Sequence, residues 1–439
     1  MNNTKVSALF AAIVLAGSAA AFAQTDPGVR AGANGAGAPL PGLSPSELVF
    51  FDAGRDDFAE AEGVADGLGP RFNLDSCGGC HQQPDIGGTS PPVNPQVAVA
   101  SAFGSLNTLP SFITANGPIR EARFKSDGGV HSLFTIRGRV DATGSASGCN
   151  ILQENFAAQQ ANGNVIFRTP TPVFGMGLLE EISDQTILDN VASQGAAKAV
   201  RNITGRVNRN GNDGRISRFG WKAQNPTALV FSGEAYNVEM GITNEGFQTE
   251  RDETAACQFA TLPNDITATD GATGIDTISA IEKFAFFMRF LDQPVASTTV
   301  PGGANSITEG RNAFTNIGCG LCHTPSLPTG NATVVALRNR TANLFSDLAL
   351  HNMGPGLADD ITQGAARGDE FRTAPLWGLG KRVFFLHDGR TSNLLTAIQA
   401  HGSNSNGIYQ NSEANATINA FNALSPTQKQ NLVNFLRSL

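Results

Sequence analysis

The amino-acid sequence predicts a mainly α-helical protein of two domains, in which the N-terminal domain is enlarged by loops and a few short strands. The chain has 439 residues, a length that suits two or three domains. The pattern C-x-x-C-H occurs twice, at residues 77–81 and 319–323, and a segment with helical spacing of apolar residues precedes each copy. Only 15% of the residues are charged and 49 are glycine, which favours a compact, loop-rich protein over a bundle of long helices.

The repeated pattern is the attachment signature of c-type haem. Both thiols of such a motif bond to vinyl groups of one porphyrin, and the histidine that follows is the usual proximal ligand of the iron. Zinc would need four ligands, and a dithiol redox site would not need the adjacent histidine. We therefore expect two covalently bound c-type haems, held by Cys77, Cys80 and His81 and by Cys319, Cys322 and His323.

Residues 1–23 have the features of a secretory signal peptide. Lys5 supplies the positive charge, residues 8–16 (ALFAAIVLA) form the apolar region, and residues 21–23 (AFA) precede the cleavage point at Gln24. A membrane anchor is the alternative, but the apolar run is too short to span a bilayer. We expect an exported protein, periplasmic or secreted, that does not span the membrane.

The formal net charge is −8, which argues against nucleic acid as a partner. A negative protein attracts basic partners at long range, so a basic redox partner protein fits this charge. Four of the six cysteines lie in the two motifs, and Cys149 and Cys257 remain. In an exported protein this pair suggests a disulfide, with two buried free thiols as the alternative.

Helical patterns predict the main elements of both domains. We expect helices at residues 44–61, 229–240, 278–291, 307–317 and 426–439, a helix starting within 170–182, and a short strand within 133–140. Residues 295–306 are rich in Pro, Gly, Ser and Thr and predict a linker. The expected organisation is therefore an N-terminal haem c domain with insertions over 24–300 and a C-terminal cytochrome c domain over 301–439.

Four histidines lie outside the two motifs: His131, His351, His387 and His401. Each could be a sixth iron ligand, a catalytic base or a hydrogen-bonded core residue. Met353 is a further candidate for the second iron. A methionine ligand raises the potential of a haem, whereas two histidines lower it.

Several segments resemble one known family. Residues 371–378 (FRTAPLWG) and 384–390 (FFLHDGR) are similar to the second haem domain of the di-haem cytochrome c peroxidase and MauG superfamily. Residues 69–73 (GPRFN), 219–223 (FGWKA), 239–243 (EMGIT) and 347–354 (DLALHNMG) resemble its di-haem oxidoreductase branch, whose members are labelled peroxidase or thiol oxidoreductase. The resemblance covers most of the chain after the signal peptide.

This resemblance implies two cytochrome c domains whose haems face a shared interface. One haem, usually the N-terminal one, is open to an oxidant such as H2O2, and the other relays electrons. A tryptophan lies between the haems in several members, and Trp221 is the candidate here, with ordinary core packing as its alternative. The position opposite His323 on the second iron matches His401, with Met353 and His351 as second choices.

The residues around the first haem depart from the peroxidase pattern, since no distal histidine closely follows His81. His131 is the candidate that would cover or ligate this iron, and Glu180, Glu181 and His131 are candidate proton carriers. The expected function is an exported di-haem c oxidoreductase, peroxidase-like, that passes electrons from the C-terminal to the N-terminal haem. Oxidation of an organic or protein substrate, as in MauG or rubber oxygenase, and electron transfer alone are the alternatives. The resemblance also allows a calcium ion.

Overall fold

The computed structural model describes residues 24–439. The predicted signal peptide, residues 1–23, lies outside this range. Within residues 24–439 no helix combines the length and the apolar character that crossing a membrane requires. The structure is mostly helical with small sheets, which confirms the mainly α-helical fold class.

Fourteen α-helices are present in the described range: α1 (Pro45–Ala59), α2 (Cys77–Cys80), α3 (Gln96–Val99), α4 (Phe156–Ala161), α5 (Met176–Glu180), α6 (Asp184–Ala192), α7 (Gly195–Val200), α8 (Ala228–Met240), α9 (Gly274–Thr277), α10 (Ala280–Phe290), α11 (Gly303–Ile317), α12 (Leu394–Gln399), α13 (Asn415–Ala423) and α14 (Pro426–Ser438).

Ten short strands pair into five antiparallel ribbons, β1–β3, β2–β4, β5–β6, β7–β8 and β9–β10. The strands are β1 (Arg71–Phe72), β2 (Glu121–Phe124), β3 (Phe134–Thr135), β4 (Val165–Arg168), β5 (Asn208–Arg209), β6 (Ile216–Ser217), β7 (Leu327–Pro328), β8 (Thr341–Ala342), β9 (Leu350–Asn352) and β10 (Glu370–Arg372).

Local capping sets the ends of the predicted helices. The Ser44 hydroxyl accepts a hydrogen bond from the backbone N–H of Glu47, and the Glu47 carboxylate accepts from that of Ser44. This reciprocal capping box satisfies two backbone donors that a helix start leaves free. Ser425 and Gln428 make the same box at the start of α14. These helices lie where the sequence predicted them, with ends that differ by a few residues.

Two predicted elements are shorter than expected. The helix expected within 170–182 begins only at Met176, because Gly175 at φ 66° interrupts the helical backbone before it. The strand expected within 133–140 is limited to β3, because Gly138 at φ 75° turns the chain away. Positive φ is the conformation that glycine adopts more easily than other residues. In addition, α11 begins inside the predicted linker.

Two helices cross closely beside each C-x-x-C-H motif, and a glycine lies at each crossing point. A Cβ atom on Gly54 of α1 would lie 2.2 Å from the Lys283 carbonyl oxygen of α10. A Cβ atom on Gly310 of α11 would lie 2.0 Å from the Asn431 carbonyl oxygen of α14. Both distances are shorter than van der Waals contact, so only glycine allows these helices to approach so closely. In both cases the first helix of the pair leads along the chain to a C-x-x-C-H motif.

The apolar core has two main clusters. The larger cluster draws its buried side chains from residues 40–377, and the smaller one from residues 313–439. Leu327, Leu337 and Leu344 belong to the larger cluster although they follow the second motif. The predicted domain boundary at residue 300 remains a prediction, since the two parts share these core residues.

The structure contains the disulfide between Cys149 and Cys257, which are 108 residues apart in sequence. Both residues are buried. The other four cysteines, which are those of the two motifs, form no disulfide in the described structure. This confirms the disulfide and excludes the alternative of two buried free thiols.

We predict that Gly310→Ala destabilises the protein by about 1–3 kcal/mol, because the added methyl group forces α11 and α14 apart. Gly195→Ala is the matched control, since a Cβ atom there meets nothing within 4 Å and alanine favours a helix. Urea denaturation of the haem-loaded protein measures both changes. Equal stability of the two variants would contradict the close crossing.

Candidate functional site

The first motif is one helical turn that ends at its histidine. The Ser76 hydroxyl caps α2 by accepting a hydrogen bond from the Gly79 N–H at 3.2 Å. Nδ1 of His81 lies 3.0 Å from the carbonyl oxygen of Gly88. A carbonyl oxygen only accepts, so Nδ1 carries the proton and Nε2 keeps its lone pair, the state that a metal ligand requires. Burial lowers the pKa of His81 to about 4, which keeps the ring neutral.

The second motif repeats this arrangement with a different backbone. Cys319 begins a short 3-10 turn, and Nδ1 of His323 donates a hydrogen bond to the Phe345 carbonyl oxygen at 3.0 Å. Burial, together with the nearby His401, lowers the pKa of His323 to about 4. Both motif histidines are therefore neutral and have Nε2 available.

Each motif borders a large cavity. The first cavity adjoins Cys77, Cys80 and His81, and the second adjoins Cys319, Cys322 and His323. They contain about 1160 and 1680 Å³ of space between atoms, part of it open to solvent. Each motif therefore adjoins an open space at the place where its haem would lie.

The second cavity has buried positive charge that lacks an anion. The Arg372 guanidinium donates to the Gly220 and Thr373 carbonyl oxygens, and that of Arg382 donates to backbone carbonyls alone. Burial lowers the pKa of both arginines to about 10. No carboxylate of residues 24–439 pairs with either. Buried charges are normally paired, so the wall suits an anionic group such as a haem propionate.

The first cavity has one arginine without a carboxylate partner in the salt bridges of residues 24–439. Arg120 lines this cavity, donates to the carbonyl oxygens of Phe112 and Asp388, and lies over the ring of Phe167. Arg168, another wall residue, pairs with Asp359, but its Nε is buried without a hydrogen-bond partner in the described structure. Arg120 and Nε of Arg168 could therefore each meet a carboxylate of a macrocycle.

His401 and Met353 both line the second cavity with His323. Nδ1 of His401 donates to the Ala397 carbonyl oxygen at 2.8 Å, so its Nε2 also keeps a lone pair. Burial lowers the pKa of His401. The structure brings both candidate ligands to the cavity, and the choice of His401 remains a prediction.

His351 has a different environment. Its Nε2 lies 2.9 Å from Asp347 and its Nδ1 lies 2.7 Å from Glu413, both carboxylates. Burial alone would lower the pKa of His351, but the nearby Cys322 sulfur and the Asp347 carboxylate raise it well above the ordinary range. Both ring nitrogens lie within hydrogen-bond distance of a carboxylate, so neither is free to face an iron in this arrangement. Cys322, Asp347 and His351 are grouped closely enough to hold a metal ion, but Cys322 already belongs to the haem motif.

Trp221 lines both cavities, as do Thr169 and Pro170. The indole N–H of Trp221 donates to the Thr169 carbonyl oxygen at 2.8 Å. Its ring meets that of His387 edge-on, with centroids 6.3 Å apart. Trp221 therefore borders both cavities, and its place between two haems stays a prediction.

Two predicted catalytic residues lie elsewhere. His131 is hydrogen-bonded to the Asp127 carboxylate at 3.0 Å and stacked on Phe124, with ring centroids 3.5 Å apart. Glu180 forms a two-bond ion pair with Arg289 at 2.6 and 3.1 Å. Neither residue is in the wall of the first cavity. In the described structure the His131 ring is held by Asp127 and Phe124, and its place over the first iron stays a prediction.

The first cavity instead contains a carboxyl pair that the sequence did not reveal. Glu121 of β2 and Glu239 of α8 line the cavity and hydrogen-bond to each other. Asn73 donates to Glu239 at 2.7 Å, and Arg123 pairs with Glu121. Burial raises the pKa of Glu239 well above its ordinary range. Arg123 overcomes the burial of Glu121 and lowers its pKa. The two carboxyl groups thus have opposite pKa shifts, raised for Glu239 and lowered for Glu121.

One sequence signal for this pair was present. Glu239 begins the segment 239–243, which carried part of the family resemblance. Glu121 gave no signal, because it meets Glu239 only after β2 and α8 have packed together.

A family model described as "Di-haem oxidoreductase, putative peroxidase" matches residues 125–439, a range that includes the second motif but not the first. No curated protein matches the chain.

Two solved structures show a distant likeness. One is a MauG-like protein associated with microbial copper homeostasis, with 18% identity, 54% of this chain and 77% of that chain covered, and a TM-score of 0.28. The other is hydrazine synthase of Kuenenia stuttgartiensis, with 15% identity, 69% and 100% covered, and a TM-score of 0.27. At these TM-scores neither likeness carries an argument.

We predict that His401→Ala opens the second haem, because the remaining ligand of its iron is then only His323. The haem-loaded variant should gain a high-spin EPR signal and bind carbon monoxide at one more site than the unaltered protein. Met353→Leu is the control and should leave both readings unchanged. The opposite result would assign Met353 as the ligand.

Proposed function

Because the chain belongs to the di-haem oxidoreductase family, we propose that it is an exported enzyme that reduces hydrogen peroxide at the first cavity. The observation that carries this proposal is the Glu121–Glu239 pair, two carboxyl groups that line that cavity and are held by Arg123 and Asn73. The second cavity has a histidine with an available Nε2 on its wall besides the motif histidine. This difference favours reaction at the first site and electron relay at the second.

Two c-type haems would be held covalently by the motif cysteines, with His81 and His323 as proximal ligands and His401 opposite His323. When bound, they would supply the redox chemistry, with electrons relayed from the second haem to an oxidant at the first. Arg372 and Arg382 would neutralise propionates at the second site.

The carboxyl pair handles the protons. Reduction of hydrogen peroxide to two waters consumes two electrons and two protons. Glu239, whose pKa is raised by burial, donates to the departing oxygen, while Glu121, whose pKa is lowered by Arg123, accepts a proton from the incoming peroxide. Asn73 fixes the Glu239 carboxyl group by its hydrogen bond. Trp221 is proposed as the relay between the cavities.

Electron transfer alone is the second candidate function, favoured by one observation. Met240 and Met288 line the first cavity, and Sδ of Met240 lies 3.7 Å from Sγ of Cys77. A thioether on the first iron would close it to peroxide. Oxidation of an organic or protein substrate, the remaining alternative, would also take place at the first cavity.

The predicted signal peptide supports a periplasmic or secreted protein, and the negative net charge supports a basic redox partner. Calcium is left out, because the one metal-type cluster in the described part of the chain contains a thiol and an imidazole, whereas calcium prefers oxygen ligands.

We predict that Glu121→Gln and Glu239→Gln each lower the rate of peroxide reduction by about 10²- to 10⁴-fold, the range of general acid–base catalysis. Stopped-flow absorbance of the Soret band after mixing with peroxide measures the rate. In the unaltered protein the rate should fall at high pH as Glu239 loses its proton, and Glu239→Gln should remove this pH limb.

Glu180→Gln is the matched control, since Glu180 is also partly buried but lies outside the first cavity. It should keep the rate and the pH profile. If peroxide and carbon monoxide leave the Soret band of the unaltered protein unchanged in every redox state, the enzyme proposal fails and electron transfer alone stands.

A further inference from the structure

A chain of aromatic rings leads from the first motif histidine to a tyrosine. The rings of His81 and Phe58 meet edge-on with centroids 5.8 Å apart. Phe58 meets Phe284 at 5.9 Å, and Phe284 meets Tyr236 at 5.1 Å, both also edge-on. Phe58, Phe284 and Tyr236 are buried. Contacting rings therefore link the proximal side of the first site to Tyr236.

Tyr236 is the last ring of this row, and its hydroxyl meets a proton acceptor. Its hydroxyl donates to Oε1 of Glu62 at 2.9 Å. Burial raises the pKa of Glu62 to about 7, although the bond from Tyr236 acts in the opposite direction. Burial also raises the pKa of Tyr236 well above its ordinary range, so the phenol is neutral. Glu62 is only half-buried and has the acidic neighbours Asp57, Glu60 and Asp66.

Oxidation of a tyrosine requires a route for the electron and an acceptor for the phenolic proton, and Tyr236 has both. Loss of an electron makes a phenol strongly acidic, so a neutral tyrosine is oxidised readily only when a nearby base takes its proton. Glu62 is such a base, because its carboxylate already accepts the phenolic hydrogen bond. Phe58 and Phe284 can shorten the path of the electron from Tyr236 to the first site, but their side chains have no proton to give.

We propose that Tyr236 and Glu62 form a proton-coupled redox site that connects the first haem site with the protein surface. After peroxide has oxidised that site, Tyr236 gives it one electron, and the phenolic proton moves to Oε1 of Glu62. A neutral tyrosyl radical and a protonated Glu62 remain. This inference rests on the proposed function.

The electrons and protons balance over the cycle. Reduction of one peroxide takes two electrons, one from Tyr236 and one from the haem pair. A redox partner then returns one electron to the haem pair, and a small one-electron reductant returns one to Tyr236, which takes its proton back from Glu62. The two protons that complete the waters come from solvent. Asp57, Glu60 and Asp66 around Glu62 favour a cationic reductant, because opposite charges attract at this surface.

The chain offers a close control for this proposal. It has two tyrosines, and the hydroxyl of the second, Tyr409, also donates to a carboxylate, Oδ1 of Asp360, at 2.7 Å. Tyr409 has no aromatic contact among the described rings. The two sites share the phenol–carboxylate bond and differ in the link to His81.

The experiment uses the haem-loaded protein with both haems oxidised, mixed with hydrogen peroxide and frozen within milliseconds to seconds for EPR. We expect a narrow organic radical signal whose hyperfine structure collapses when the protein carries ring-deuterated tyrosine. Tyr236→Phe should lose this signal, and Tyr409→Phe should keep it. Glu62→Gln should lose most of it, because glutamine cannot take the proton. Haem absorbance and circular dichroism verify that each variant is folded.

The outcomes separate the two proposals. A Soret change without a deuterium-sensitive radical, or a radical that persists in Tyr236→Phe, overturns the tyrosine site and leaves the peroxidase proposal intact. Loss of the signal in Tyr409→Phe alone overturns it in the same way. If peroxide changes neither the Soret band nor the EPR spectrum, both proposals fail.

Discussion

The hydrogen bond from Nδ1 of each motif histidine to a backbone carbonyl is the contact on which both sites depend. It fixes the tautomer and the direction of a neutral ring inside a buried wall. At the first site the acceptor belongs to Gly88, where a Cβ atom would lie 2.0 Å from the Gln83 carbonyl oxygen. At the second site it belongs to Phe345, whose positive φ of 51° is unusual for a bulky residue. The rings of Phe314 and Phe435 pack against Phe345 and hold it there.

Buried charge organises the space between the two cavities. The Asp359 carboxylate lies 2.7 Å from the Arg168 guanidinium and 3.0 Å from the Lys222 ammonium. Lys222 also lies 4.2 Å from the ring centre of Phe371, which stacks on His387. Breaking a buried ion pair leaves an uncompensated charge and costs about 3–5 kcal/mol. Such a network resists rearrangement, so the wall that contains Trp221 is a rigid partition.

The sequence could predict features that neighbouring residues specify, but not contacts between distant elements. Helices such as α1 and α14 are specified by their own capping residues and apolar spacing, so their positions were predictable. The haem motifs are also local, since five consecutive residues contain the whole attachment chemistry. The Glu121–Glu239 pair joins a strand to a distant helix, and no local pattern encodes that contact. The contacts of His131 with Asp127 and Phe124 likewise form only in the folded chain, so no local pattern could predict the direction of its ring.

The disulfide has a consequence for how the protein matures. An oxidising compartment would also join Cys77 to Cys80 and Cys319 to Cys322, whereas thioether formation requires reduced thiols. If the proposed thioethers form in such a compartment, a reductant must act on the motif cysteines without opening the Cys149–Cys257 bond, whose sulfurs belong to residues only 3% and 1% exposed. Attack on a disulfide needs access to sulfur. Burial of these two sulfurs thus protects the Cys149–Cys257 bond from a thiol reductant in the folded chain.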